Sequence, residues 1–182
     1  MAYNADSNTP PAFTLPPDDL TRMLRNVRAD GENTPHIGLA GDTYSILLSG
    51  KDTAGRFCLI DMHVPPGGGP PPHRHDFEET FVVQEGEIEA TFRGKKSLVR
   101  SGETLHIPAN APHQFHNVSQ KNVRLLCICA PSGQEEFFEQ VGVRVATRTT
   151  APPALSETEQ AQFIAKAQKL APKYKTELLP PA

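Results

Sequence analysis

At 182 residues the chain suits one domain of ordinary size with tails, and it is long enough to bury a core. Its net charge of −3 directs no strong field toward nucleic acid or an anionic membrane. No apolar run approaches the roughly 20 residues of a membrane span, and MAYNADSNTPPAF lacks the basic and apolar regions of a secretory leader. Three cysteines, Cys58, Cys127 and Cys129, are an odd count that argues for reduced thiols, so a cytoplasmic location is expected.

Residues 1–17 are polar and proline-rich and read as a flexible tail. Pro16-Pro17-Asp18-Asp19 opens a predicted short helix through about Val27, with proline and acids suited to a first turn. Residues 28–41 read as loop. TYSILLSG and RFCLIDMHV then read as strands joined by a turn at Lys51–Gly55. In the second, Cys58, Ile60, Met62 and Val64 alternate with less uniformly apolar neighbours and are expected to face the core.

After a Gly/Pro stretch come ETFVVQEGEIEATF, broken at Glu85-Gly86, then KSLVR, ETLHIP, HQFHNV and VRLLCICA. Short strands punctuated by glycine and proline turns describe an all-β antiparallel sandwich or barrel. Arg93-Gly94-Lys95-Lys96 reads as a solvated turn. Cys127-Ile128-Cys129 reads as small buried residues rather than a thiolate pair, since no second Cys or His pair sits at zinc-type spacing. SGQEEFFEQVG reads as a helix ending at Gly142, residues 143–155 as a connector, and Ser156–Glu159 as a capping box opening a helix to about Ala171. The expected organisation is a tail (1–17), one barrel domain with an N-terminal and a closing helix (18–142), and a linker with a C-terminal helix (143–182).

The chemistry concentrates in PPGGGPPPHRHDFEET, residues 65–80. A His-x-His pair alone is a weak signal, but its context is stronger. On one continuous strand, His73, His75 and Glu79 share a face with Phe77, Phe81 and Val83. A carboxylate on an apolar face is costly unless it is paired or bound to a cation, which points to a metal. For a fourth ligand, His36 lies in a loop, and His63 and His106 fall on outward positions. His113 shares its parity with Phe115, whereas His116 does not, so His113 is the best candidate.

These residues carry a family resemblance. GGGPPPHRHDFEETFVVQEG, from Gly67 through His73, His75 and Glu79 to Gly86, resembles the first cupin motif. GETLHIPANAPHQFHN, from Gly102 through Pro108 and His113 to Asn117, resembles the second. Asn110 stands where the family usually has glycine, and asparagine tolerates the left-handed conformation. The resemblance implies an antiparallel double-stranded β-helix (a jelly-roll cupin barrel) with short flanking helices. It implies one divalent metal ion per chain on His73, His75, Glu79 and His113, and a homodimer.

Three imidazoles and one carboxylate suit iron, manganese, nickel, cobalt or zinc, and leave positions for water, substrate or dioxygen. Glu79 has a second possible role as general base. Ile60, Met62, Phe77, Phe81, Val83, Leu105, Ile107 and Phe115 are the candidate substrate-binding wall, although small barrels also fill their interiors with such side chains. With no basic cluster and no phosphate loop, a small enolic or aromatic molecule fits better than a nucleotide. Similarity to quercetin 2,3-dioxygenase-like cupins implies a dioxygenase as the leading reading. A metal-containing module that only binds a small ligand, or an isomerase or lyase, is the alternative.

Overall fold

The computed structural model describes residues 14–180. Most of the expected tail lies outside them. Two antiparallel sheets face each other across the core. The larger has the order β11 (Val143–Arg144), β1 (His36–Leu39), β2 (Asp42–Leu48), β3 (Cys58–Val64), β10 (Val123–Ala130), β5 (Glu78–Glu85), β8 (Thr104–Ile107). The smaller has the order β12 (Thr176–Leu178), β4 (His73–His75), β9 (His113–His116), β6 (Glu87–Phe92), β7 (Lys95–Arg100).

The alternation read from β3 holds: Cys58, Ile60, Met62 and Val64 are buried. Its opposite face carries Asp61, which is also fully buried. Arg124 meets that carboxylate at 2.7 Å and Arg148 at 3.5 Å, so the charge is paired rather than stranded.

The two sheets do not close on each other. The turn expected at Lys51–Gly55 is a short helix, α1 (Gly50–Thr53), and between β1 and β4 the opening is filled by α2 (Gln134–Val141), α3 (Glu157–Leu170), a 3₁₀ turn at Ala171–Tyr174 and β12. The Phe138 ring lies 4.9 Å from Tyr44, and Phe137 lies 5.7 Å from Tyr174. Helices α2 and α3 occupy the expected spans. Glu159 accepts the Ser156 N–H at 2.8 Å, completing the capping box. The segment expected as linker and helix thus also supplies a strand to each sheet. No helix among the described residues is long and apolar enough to cross a membrane.

Three further sequence expectations are corrected. Residues 16–27 form no helix, only a turn at Leu20–Arg22. Asp19 Oδ1 accepts hydrogen bonds from the Thr21 N–H and hydroxyl instead, and Leu20, Met23 and Leu24 stay exposed. A helix this short needs a packed face, and none is provided. The loop at 28–41 contains β1, whose His36 is buried against Ser45. The segment 73–83 is not one strand: His73–His75 belongs to one sheet and Glu78–Glu85 to the other, with Asp76-Phe77 as the corner.

The Gly/Pro stretch sets the approach to β4. Gly69 has φ +127° and lies against the Phe115 carbonyl, so a Cβ there would collide with the β9 backbone. Gly69→Ala should cost about 2–4 kcal/mol, combining left-handed strain with overpacking. Thermal denaturation checks this, and an unchanged melting temperature would show that β4 does not depend on the close approach.

Candidate metal centre

Four side chains from three strands converge. His73 and His75 come from β4, His113 from the start of β9 and Glu79 from the start of β5. Their ligand atoms lie within 4.8 Å of one another, and all four residues are at most 6% exposed. His73 and His113 are register partners across the smaller sheet. Glu79 reaches them from the facing sheet.

The backbone fixes the imidazoles. His73 Nδ1 bonds the Pro71 carbonyl at 2.8 Å, His75 Nδ1 the Phe77 carbonyl at 2.9 Å, and His113 Nδ1 the Ala111 carbonyl at 2.9 Å. A carbonyl oxygen can only accept, so each Nδ1 carries the hydrogen. Each ring therefore turns its Nε2 toward the centre, where a neutral imidazole offers a lone pair. The Phe77 ring stacks on His75, with centroids 3.8 Å apart and planes 3° apart. Asn110, at φ +67°, adopts the left-handed conformation expected of the residue replacing glycine. Its N–H donates to the His75 carbonyl at 2.7 Å, tying the β8–β9 turn to β4.

The electrostatics demand a positive charge in the middle. Glu79 Oε2 lies 3.1 Å from His75 Nε2 and 3.0 Å from His113 Nε2. A carboxylate facing two lone pairs is repulsive unless a proton or a metal ion sits between them. A divalent cation satisfies all four donors at once, so the residues fit a metal of this class. Burial alone would raise the Glu79 carboxyl, but the hydrogen bonds from His113 and His75 outweigh it and hold Glu79 below the ordinary range. Burial, with His113 beside it, pushes His73 down to about 4, leaving it neutral and available as a ligand. Burial opposes a charge on His113, yet its hydrogen bond to Glu79 prevails and raises it.

The other histidines stay apart. His106 is exposed and contacts Thr80 at 3.0 Å and Glu78 at 3.0 Å. His63 and His116 are half-buried away from the cluster. Of the eight apolar candidates, Phe77 stacks on His75 and Ile107 pairs with Glu79 across β5–β8. Phe81 and Phe115 meet edge to face at 5.2 Å, and Ile60, Met62, Val83 and Leu105 pack in the same core. A polar surface cavity of about 230 Å³ reaches His75 past Arg74, Asp76, Asn110, Lys175 and Glu177.

Sequence reasoning missed the other side of Glu79. Cys127 Sγ lies 3.3 Å from Glu79 Oε1 and Cys129 Sγ lies 3.7 Å from it. Both cysteines are buried, as expected. Their contact follows from the register Cys129↔Glu79 and Cys127↔Phe81, which spacing along the chain does not reveal. Burial pushes the Cys127 thiol up to about 12, so it keeps its proton.

A family model for the cupin domain matches residues 60–129. The chain is 28% identical over 106 residues to quercetin 2,3-dioxygenase of Bacillus subtilis (strain 168), covering 57% of this chain and 31% of that protein. The chain thus spans about a third of that relative's length. It is 28% identical over 133 residues to the polyketide synthase CurC of Streptomyces cyaneus, covering 71% of this chain and 80% of that protein. The structure of the polyketide cyclase RemF from Streptomyces resistomycificus shares the fold, with a TM-score of 0.53, 24% identity, and coverage of 80% of this chain and 99% of that one.

Protons and metal compete for His113 Nε2. Since Glu79 raises the His113 pKa in the metal-free protein, metal affinity should rise with pH through the neutral range and fall on acidification. Metal binding should release protons, and the release should grow as the pH falls through the neutral range. Calorimetry in buffers of differing ionisation enthalpy measures this, and release of no proton would contradict the assignment.

Proposed function

We propose that this cupin chain, similar to quercetin 2,3-dioxygenase-like proteins, is a metal-dependent enzyme acting on a small enolic or aromatic molecule, with dioxygenation of a flavonol-like substrate as its reaction. The observation that carries the reading is the convergence of three imidazole nitrogens and one carboxylate oxygen within 4.8 Å of one another in the buried interior. His73, His75, Glu79 and His113 would hold one divalent iron, manganese, nickel, cobalt or zinc ion. Such an ion supplies Lewis acidity toward an enolic or carbonyl oxygen and, if redox-active, access to dioxygen chemistry.

The chain's own residues do the rest. The three Nδ1–H···O=C bonds keep the imidazoles from rotating. Glu79 enters deprotonated and would serve as ligand through Oε2, the same oxygen accepting the substrate's enolic proton when Glu79 swings off the metal. Phe77 and Ile107 form the nearest apolar wall, excluding water from the reacting group. Ile60, Met62, Phe81, Val83, Leu105 and Phe115 shape the interior behind them. A cytoplasmic homodimer completes the reading.

A second reaction class is favoured by one observation. The likeness to the polyketide synthase CurC spans most of both chains, whereas that to the dioxygenase spans a third of the latter. Polyketide intermediates and flavonols share an enolisable oxygen pair, so the same centre could promote ring closure without consuming dioxygen.

The test begins with elemental analysis of wild type and His75→Ala, purified without added metal or chelator. Near one equivalent of a redox-active metal in wild type, lost in the variant, is expected. Oxygen uptake with a flavonol should follow metal content, falling at least ~10²-fold in Glu79→Gln. Metal without oxygen uptake, but with turnover of a poly-β-ketone, favours the cyclase reading. No bound metal after reconstitution contradicts both.

A further inference from the structure

We infer that Cys127 is a positioning residue for Glu79. Its thiol holds Oε1 away from the centre so that Oε2 alone is presented to the imidazoles. The inference rests on the metal reading above and deepens it. Glu79 Oε2 has His75 and His113 as neighbours at 3.1 and 3.0 Å. Oε1 has no such partner on that side. Its contacts are the Cys127 thiol at 3.3 Å and, more distantly, the Cys129 thiol at 3.7 Å. The Cys127 and Cys129 sulfurs are 3.6 Å apart and both are fully buried. Water does not reach this side, so the thiols satisfy an oxygen that the core would otherwise strand.

The consequence is a choice between two carboxylate geometries. A free carboxylate can rotate about its last bond and offer one oxygen or both. With Oε1 engaged by a donor from β10, rotation breaks that contact, so the carboxylate is held with a single oxygen toward the centre. Position 127 achieves this because the β5–β10 register sets it opposite Phe81, two residues beyond Glu79.

The donor can be separated from packing by two substitutions. Cys127→Ser keeps a donor and loses volume. Cys127→Val keeps a buried apolar side chain, about a methyl group larger, and loses the donor. Cobalt(II) affinity by chelator competition, the visible spectrum of the cobalt-loaded protein and the melting temperature of the metal-free protein are measured for each. Cys127→Val is expected to weaken cobalt binding about 10–100-fold and to alter the spectrum, while Cys127→Ser stays within roughly threefold of wild type. The metal-free melting temperatures should run in the opposite order, with Ser the lower. If Cys127→Val does not fold, Cys127→Ala takes its place against Cys127→Ser. Cobalt affinity that follows the metal-free melting temperature, or that is equal in all variants, overturns the inference while leaving the metal site intact. A wild-type protein that binds no cobalt overturns both.

Discussion

The structure turns on one buried carboxylate. Glu79 sits almost without solvent between two sheets, with imidazole nitrogens on one side and thiols on the other. An isolated carboxylate in such surroundings costs several kcal/mol, and protein groups offset this only where they supply positive charge and hydrogen bonds. The imidazoles do so only while a proton sits on Nε2; once neutral they turn lone pairs toward it instead. The carboxylate is therefore balanced by protons on the facing imidazoles or by a cation among all four groups, and the surrounding fold keeps those groups together.

Most of the framework serves that end through backbone contacts. Gly69 lets the chain pass close to the Phe115 carbonyl, which brings β4 alongside β9 and pairs His73 with His113. The Asn110 N–H then ties the turn before His113 to His75. Carbonyls at Pro71, Phe77 and Ala111 each lie two residues from the histidine they orient. The strand corner at Asp76-Phe77 transfers the chain from one sheet to the other and delivers Glu79 from the opposite wall. The C-terminal elements fill the side where the sheets stay apart, so the centre is enclosed without a closed barrel.

The convergence of His73, His75, Glu79 and His113 and the succession of short strands were legible because each depends on local signals: alternation, turn residues and spacing within two short motifs. The reasoning for Glu79 nevertheless rested on a wrong premise. Parity along one strand put it beside His73 and His75, whereas a corner between two sheets does so in fact. Convergence survived the error because the cross-core distance between facing sheets suits a metal as well as a shared face does. The missing helix at 16–27 and the unforeseen strands at 36–39 and 176–178 have a common cause. Short segments take their structure from what they pack or pair with, and that is not written in their own residues. The Cys127–Glu79 contact is of the same kind, set by register between strands more than forty residues apart.

The most direct test of the central claim is X-ray absorption on the zinc-loaded protein. Nitrogen and oxygen neighbours alone at about 2.0–2.2 Å, with the multiple-scattering signature of three imidazoles, are the predicted result. A sulfur shell at about 2.3 Å would contradict it, because zinc would then sit on the thiol side of Glu79. A failure to load stoichiometric zinc would show that protons, not a metal, balance the buried carboxylate.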